Sequence, residues 1–386
     1  MAKVDDYLDF LKYCLDTKNR QVPACAATIN WDELLVFARK QSIVGIFWDG
    51  IRNVFKQAEL HRDEELMARI LENKINEKQT LDWMAKVKGI QLRNEKVNAF
   101  AAKATSNFAL EGFRTCILKG QSNALRYPDP SLRSCGDIDI WTEGGRWKAF
   151  CYVRRMFPKA KFKCQHIEFP VKAKIPVEVH FYPMYLENLW CNRKLQKFFK
   201  QQADEQFSNW KQLPGNAGKI CTPTPFFDAI YQLTHINVHI LIEGIGLRQF
   251  IDYYYVLRYL PKEKHEEVRQ LLKSMNLTKL AAATTWIVKE VLGLPEEYCY
   301  IQPDERRGKH LMMEIERGGN FGKFNDEKPK NKNALVQFWQ VQMWKLGRNA
   351  RYAIDYPSEE LSEPIFRIIH WIWRQWYQMK WLVAKK

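Results

Sequence analysis

The segment Gly136-Asp137-Ile138-Asp139-Ile140 constrains the fold more than any other part of the sequence. Alternate side chains of a β-strand leave the same face, so Asp137 and Asp139 should project together while Ile138 and Ile140 point into the core. Two adjacent carboxylates repel each other unless a cation neutralises them, and Mg²⁺ prefers such oxygen ligands. The pattern predicts a strand with one buried apolar face and a divalent-metal site on the other.

A D-x-D pair alone is weak evidence for a metal site, and three neighbouring features strengthen it. Gly136 precedes the pair and lets a bulky ligand approach the backbone closely. Lys119-Gly120 ends an upstream strand and forms a candidate phosphate-binding turn, with an ammonium group and free amides. Farther along, Glu178 and His180 alternate with apolar residues and share one strand face. Three acids from two neighbouring strands suit one or two divalent ions.

Hydrophobic periodicity predicts helices on both sides of a short extended centre. Apolar residues recur at spacings of three and four through the first 105 residues, and helical patterns return after residue 186. In the centre the sequence predicts strands at 114–118, 137–141, 164–169 and 177–181, with helices at 121–127 and 146–157. The segment 302–333, rich in Gly, Lys, Asn and Asp, is predicted to be a loop. The expected class is α+β, a small mixed sheet with flanking helices between two helical regions.

Composition limits the kind of partner and the compartment. Sixty Lys and Arg against 44 Asp and Glu leave a net charge of +16, which suits nucleotide phosphates, RNA, an acidic protein or an anionic membrane surface. Nine cysteines without a C-x-x-C pair favour reduced thiols over a disulfide framework or a zinc ribbon. The acidic start lacks a signal-peptide pattern, and no apolar run approaches the roughly 20 residues of a spanning helix. We therefore expect a soluble, cytoplasmic protein.

The last segment, 366–381, combines many aromatic residues with scattered positive charge. Such a helix either packs on the protein with several Trp edges exposed or lies in a membrane interface. Packing on the protein is the favoured interpretation, because amphipathic helices mostly pack on protein. Membrane contact is the second alternative.

Several charged residues near the acids have two interpretations each. Lys119 either contacts a phosphate oxygen or extends to the surface, and Arg133 either grips a triphosphate or pairs with Asp129. Arg248 and Asp252, four apart on a helix, are expected to form a salt bridge, with acceptor recognition as the lesser alternative.

His235 and His239 also lie four apart, but the sequence between them lacks the Glu of H-E-x-x-H. We therefore expect them to line a cleft or to be hydrogen-bonded, rather than to bind metal. His180 shares the face of Glu178, and its role stays open.

These residues carry a resemblance to the nucleotidyltransferase superfamily, the fold of DNA polymerase β. The fuller set resembles a bacterial family of largely uncharacterised nucleotidyltransferases, over roughly residues 25 to 260. The matching segments are Leu118-Lys119-Gly120, Tyr127-Pro128, Arg133, Gly136-Asp137-Ile138-Asp139, Glu178-Val179-His180 and Leu247-Arg248-Gln249-Phe250-Ile251-Asp252. The superfamily usually has Gly-Ser where this chain has Lys119-Gly120, which weakens the phosphate-binding assignment there.

The resemblance implies metal-dependent transfer of a nucleoside monophosphate from an NTP to an acceptor, with pyrophosphate leaving. Asp137 and Asp139 match the paired acids that hold Mg²⁺ or Mn²⁺. Glu178 matches the third acid, which coordinates a second ion or accepts the proton of the acceptor hydroxyl. The acceptor stays unidentified: a small molecule, a peptide, RNA or an envelope precursor. Two alternatives keep the fold, a phosphotransferase using the same site and a catalytically idle module that binds nucleotide or RNA.

With the resemblance, four units are expected along the chain. They are an N-terminal helical region at 1–105, a catalytic core at 106–185, a helical domain closing the cleft at 186–300, and a polar insertion with the Trp-rich helix at 301–386.

Overall fold

The computed structural model describes residues 2–16, 21–170, 175–242, 244–319, 329 and 333–384. Its helices are α1 (Ala2–Leu15), α2 (Trp31–Gln41), α3 (Val44–Leu60), α4 (Glu65–Glu72), α5 (Glu77–Leu110), α6 (Gln121–Ala124), α7 (Gly145–Met156), α8 (Leu189–Gln206), α9 (Pro225–Ile242), α10 (Leu247–Tyr259), α11 (His265–Ser274), α12 (Thr278–Trp286), α13 (Glu305–Gly318), α14 (Ala334–Ala353), α15 (Pro357–Glu360) and α16 (Glu363–Ala384). Its strands are β1 (Thr115–Ile117), β2 (Ile138–Thr142), β3 (His166–Glu168), β4 (Val177–His180), β5 (Trp210–Gln212) and β6 (Lys219–Cys221).

Helices α1 to α5 form the N-terminal part, and their boundaries follow local sequence signals. The side chain of Asn30 caps α2 by accepting from the backbone amides of Asp32 and Glu33. Asn76 and Gln79 form a reciprocal capping box at the start of the 34-residue helix α5. The helices predicted for this part of the chain are confirmed.

The predicted mixed sheet is present and contains four strands in the order β1-β2-β4-β3. β2 runs antiparallel to β1 and parallel to β4, and β3 runs antiparallel to β4. Asp139 lies directly opposite Glu178, and His166 lies opposite His180. Because neighbours in register project to the same face, the ladder gathers the polar residues of three strands on one side of the sheet.

The two faces of the sheet pack against different helices. Ile138, Ile140 and Val179 belong to a buried cluster with α5 and α7. Trp141, two residues after Asp139, belongs to a second cluster on the other face and stacks on Phe227 of α9 at 5.7 Å between ring centroids. The alternation of Asp and Ile thus has the predicted outcome, with an apolar face toward α5 and a polar face toward α9.

Two local predictions differ from the structure. The segment 302–333 was expected to be a loop, but its first half contains helix α13, capped by Asp304. Leu311, Met312 and Ile315 of α13 are buried, so a short amphipathic pattern outweighed the polar composition. Residues 320–328 and 330–332 of that predicted loop lie outside the described residues. The β5–β6 hairpin was not predicted, because each of its strands has only three residues.

Helix α16 has one packed face and one exposed face. Tyr377 is buried against Trp147 and Phe150, with ring centroids 5.6 and 5.5 Å away. Ile368 and Ile372 are 62% and 55% exposed on the other side. Among the described helices, none combines the length and the apolar character that crossing a bilayer requires. All nine cysteines lie in described segments as free thiols.

Candidate active site

The three predicted acids meet on the polar face, at the amino ends of the parallel strands β2 and β4. Asp139 lies opposite Glu178 in the β2–β4 ladder, and Asp137 directly precedes β2. Each residue offers a carboxylate oxygen, and these oxygens lie within 4.8 Å of one another. Asp139 is fully buried, whereas the side chains of Asp137 and Glu178 are 35% and 25% exposed. The structure therefore brings the three carboxylate oxygens together. Solvent reaches this cluster at Asp137 and Glu178, which are partly exposed.

Lys119 forms ion pairs with two of the three acids. Its Nζ lies 3.3 Å from Asp139 Oδ1 and 3.8 Å from Asp137 Oδ2. Burial alone would lower the pKa of Lys119, but the negative charges of Asp137, Asp139 and Glu178 outweigh burial and raise it. Burial likewise would raise the pKa of Asp137, and Lys119, a backbone hydrogen bond and Arg248 together lower that pKa. Lys119 thus points to the acids rather than extending to the surface.

His180 and His166 surround Glu178 on the same face. His180 Nε2 lies 3.0 Å from Asp139 Oδ1 and 3.5 Å from Glu178 Oε2, and His166 Nδ1 lies 2.8 Å from Glu178 Oε2. Burial alone would lower the pKa of His180, but the carboxylates of Asp139 and Glu178 raise it to about 9. Burial would raise the pKa of Glu178, and its contacts with both histidines lower it instead. The histidines therefore keep Glu178 ionised.

The cluster fits a divalent cation on its own geometry. Asp139 Oδ2 is buried and makes no hydrogen bond, although a buried carboxylate oxygen normally has a partner. Burial, together with the charge of Asp137, raises the pKa of Asp139, which shows that the cations around it only partly compensate the acids. A hard divalent ion bound by oxygens would satisfy the orphaned atom and relieve this repulsion. Asp137, Asp139 and Glu178 are the residues that would hold it.

An open cavity of about 600 Å³ adjoins the acids. Its lining includes Asp137, Glu178 and His180 from the sheet side and His235 and His239 from α9. A volume in this range accommodates a nucleotide-sized ligand. The acids therefore lie at the wall of a space large enough for a substrate.

The predicted phosphate-binding residues line a second, much smaller space, and Lys119 also lines the larger cavity. A cavity of about 20 Å³ is bounded by Lys119, Gly120, Arg133, Gly136 and Arg248, among others. This volume has room for about one water molecule, so it does not hold a triphosphate as it stands. Gly120 has a φ of +66°, and an added Cβ would lie 3.2 Å from the carbonyl oxygen of Asp137. The backbone conformation of the turn therefore favours glycine at position 120.

Arg133 has a different partner from either of the two that its sequence context suggested. Its Nε and Nη2 donate to the two carboxylate oxygens of Asp252 at 2.7 and 2.6 Å, and the pair is buried. Asp129 instead accepts from the backbone amide of Ser131. The predicted salt bridge between Arg248 and Asp252 does not form, because Asp252 pairs with Arg133. Arg248 Nη1 instead donates to the carbonyl of Ser134.

His235 and His239 both reach the cavity, as expected for cleft-lining residues. Their Nε2 atoms lie 3.0 Å apart, and His235 Nε2 lies 3.4 Å from Lys119 Nζ. Burial, followed by the positive charges of His239 and Lys119, lowers the pKa of His235 well below its usual value. A neutral His235 can accept a hydrogen bond from Lys119 and so help to orient the ammonium group.

Sequence reasoning missed residues that hold the loop before Asp137. Arg93 of α5 donates to the carbonyls of Cys135 and Gly136 at 3.1 and 2.8 Å. Asn94 donates to the carbonyls of Ser131 and Arg133 at 2.8 and 2.9 Å. Asn94 is a polar residue at a buried position of α5, whereas Arg93 is exposed and left no signal in the sequence. His166 was missed because its contact depends on the pairing of β3 with β4.

A pair of acids at the start of one strand and a third acid on its parallel neighbour, beside a cavity of about 600 Å³, define a candidate metal site. The chain belongs to a family described as uncharacterised nucleotidyltransferase, whose model matches residues 27–293. A solved antigenic nucleotidyltransferase-like protein from Paracoccidioides brasiliensis is similar at 12% identity and a TM-score of 0.30, covering 55% of this chain and 95% of that one. No curated protein matches the sequence.

Proposed function

We propose that the chain is a divalent-metal-dependent nucleotidyltransferase. It transfers a nucleoside monophosphate from an NTP to an acceptor hydroxyl or phosphate and releases pyrophosphate. The observation that carries the proposal is the convergence of Asp137, Asp139 and Glu178, whose ligand oxygens lie within 4.8 Å of one another beside an open cavity. Membership of the uncharacterised nucleotidyltransferase family supports it independently.

The surroundings of each acid indicate its role. Asp139 is held by His180 on one oxygen and leaves the other without a partner, which suits a ligand with a fixed orientation. Glu178 has a lowered pKa because of His166 and His180, although burial acts in the opposite direction. A carboxylate with a lowered pKa is a poor base, so Glu178 is better suited to hold the ion than to take the proton of the acceptor.

Bound to these carboxylates, Mg²⁺ or Mn²⁺ would neutralise the triphosphate and lower the pKa of the attacking hydroxyl. Lys119 holds its ammonium between Asp137 and Asp139 and is within reach of a phosphate oxygen placed beside them. His235 keeps that ammonium oriented. The protein groups thus position charge along the path of phosphoryl transfer, which is the main contribution an enzyme makes to this reaction.

The 600 Å³ cavity is the proposed place for the substrates, and the acceptor is a small molecule, a peptide, RNA or an envelope precursor. A cytoplasmic location is part of the proposal, because NTPs are found there and because all nine cysteines are free thiols. Contact of helix α16 with a membrane surface stays the second alternative for that helix.

Mass spectrometry tests the proposal. The full chain is incubated with Mg²⁺, each of the four labelled NTPs and a library of candidate acceptors, and the acceptors are weighed. Nucleotidyl transfer adds the mass of a nucleoside monophosphate, a phosphotransferase adds the mass of a phosphate, and an idle binding module adds nothing. We expect the first outcome, and either of the others contradicts the proposal.

Matched variants locate the activity. Asp137→Asn should reduce transfer by roughly 100-fold or more, because the amide removes a charge that holds the ion. Asp204→Asn, whose side chain is 87% exposed and pairs with Arg114, serves as the control and should transfer at the wild-type rate. Full activity in Asp137→Asn would place the reaction elsewhere in the molecule.

A further inference from the structure

A second group of metal-ligating side chains lies on the sheet beside the acids. His166 of β3 and His180 of β4 are directly opposite each other in the antiparallel ladder, and Glu178 precedes His180 by two residues on the same face. Each of the three offers one ligand atom, and these atoms lie within 4.8 Å of one another. His166 and His180 are buried, with side chains only 3% exposed. Strand pairing therefore fixes two imidazoles and one carboxylate around a common point.

We infer that His166, Glu178 and His180 form a second cation site, which takes an imidazole-preferring transition-metal ion, with Zn²⁺ as the best match. Zinc binds His nitrogen and Glu oxygen at about 2.0–2.2 Å, so tetrahedral ligand atoms lie about 3.3–3.6 Å apart. Glu178 Oε2 lies 3.5 Å from His180 Nε2, within that range, and 2.8 Å from His166 Nδ1, which is shorter. Coordination by His180 Nε2 would replace its present contact with Asp139 Oδ1 and would require the imidazole to be deprotonated.

This site and the acid cluster offer different ligand atoms and therefore prefer different metal ions. Two nitrogens and one oxygen suit Zn²⁺ and its transition-metal neighbours, whereas Asp137, Asp139 and Glu178 offer oxygens alone and suit Mg²⁺ or Mn²⁺. Glu178 belongs to both sets and has two carboxylate oxygens to offer. Two ions of different preference can therefore share Glu178 as a bridge.

The cavity gives the second site an entry path and an open coordination position. His166, Glu178 and His180 all line the 600 Å³ space. His235, His239 and His370 line it as well, so five of the eight histidines of the chain face one cavity. Two His and one Glu with a fourth position left for water or substrate is the ligand pattern of catalytic zinc rather than structural zinc. An ion here would bind an oxygen of a substrate held in the cavity.

Metal binding by the full chain tests the inference, with Co²⁺ as a spectroscopic probe and Zn²⁺ as its competitor. The purified protein is stripped with a chelator, dialysed and titrated, and bound metal is counted by elemental analysis. We expect one Co²⁺ with the intense visible bands of a four-coordinate site, displaced by Zn²⁺. His166→Gln and His180→Gln should each weaken binding by about 100-fold, whereas His61→Gln, with a side chain 60% exposed, should bind as the wild type does.

Further variants separate this inference from the proposed function and from misfolding. His166→Cys keeps a ligand atom and should retain Co²⁺ with an added sulfur-to-metal charge-transfer band, which a folding defect would not produce. Asp137→Asn should lose nucleotidyl transfer but keep the Co²⁺ spectrum, because Asp137 is not among the three ligands. Wild-type Co²⁺ affinity in both His→Gln variants would overturn the inference, whatever the transfer assay shows. Absence of transfer with an intact Co²⁺ site would contradict the proposed function alone.

Discussion

Arg133 and Asp252, 119 residues apart in the sequence, form a buried bidentate ion pair beneath the loop that leads to Asp137. Tyr127 donates a third hydrogen bond to the same carboxylate at 2.7 Å. Burial alone would raise the pKa of Asp252, and Arg133, together with Arg248 and Tyr127, lowers that pKa. The pair therefore ties the sheet-side loop to helix α10.

Asp252→Asn should destabilise the protein by about 3–5 kcal/mol, because it leaves the Arg133 guanidinium buried without its counter-charge. Chemical denaturation followed by circular dichroism measures the change. Tyr127→Phe removes one hydrogen bond to the same carboxylate and should cost only about 1–2 kcal/mol. Equal losses for the two variants would mean that the ion pair contributes no more than the hydroxyl.

Lys119→Gln should make the protein more dependent on divalent metal for its stability. Without the ammonium, the carboxylates of Asp137 and Asp139 repel each other, and the metal-free protein should lose about 1–3 kcal/mol. Added Mg²⁺ should restore part of this loss, so that the rise in melting temperature on adding MgCl₂ exceeds that of the wild type. Lys211→Gln on the exposed strand β5 is the matched control. A smaller Mg²⁺ effect in Lys119→Gln would contradict the charge balance described for the acids.

Glu187→Gln should remove a pH dependence of stability. Burial, followed by the charges of Glu363 and Glu359, raises the pKa of Glu187 to about 9 from an ordinary value of 4.5. Folding therefore takes up a proton between these values, and this group reduces stability by up to about 1.4 kcal/mol per pH unit as the pH rises through that window.

The variant should melt higher than the wild type at pH 8 and differ little at pH 4.5. Thermal unfolding at both pH values measures this, with Glu72→Gln on the exposed end of α4 as the control. An unchanged pH profile in Glu187→Gln would show that its carboxyl group ionises normally in the folded protein.

The two faces of helix α16 should respond differently to substitution. Tyr377→Ala removes a ring packed on Trp147 and Phe150 and should cost about 3 kcal/mol. Ile368→Ser, on the face that is exposed, should change stability by no more than about 0.5 kcal/mol. Limited proteolysis across the C-terminal region, read by mass spectrometry, compares the two. Faster cleavage in Ile368→Ser than in Tyr377→Ala would mean that the packed face has been assigned incorrectly.

The local sequence was sufficient to predict which way the acidic side chains point, but it was insufficient to predict the residues that contact them. Alternation placed Asp139 and Glu178 on polar strand faces, because side-chain direction in a strand follows from spacing alone. The contact of His166 with Glu178 depends on the register between β3 and β4, which no short pattern specifies. Asp252 was assigned to Arg248, four residues away, because helical neighbours are visible in the sequence and a partner 119 residues away is not. Helix α13 was missed because composition was given more weight than its amphipathic spacing.

Helix α5 has a mechanical consequence for the site. Its first half packs with Trp83 among the N-terminal helices, and its second half packs with Val97 under the sheet. Between these two parts, Arg93 and Asn94 donate hydrogen bonds to backbone carbonyls of the loop just before Asp137. One continuous helix of 34 residues, roughly 50 Å long, therefore connects the N-terminal helices to the backbone that positions the first carboxylate.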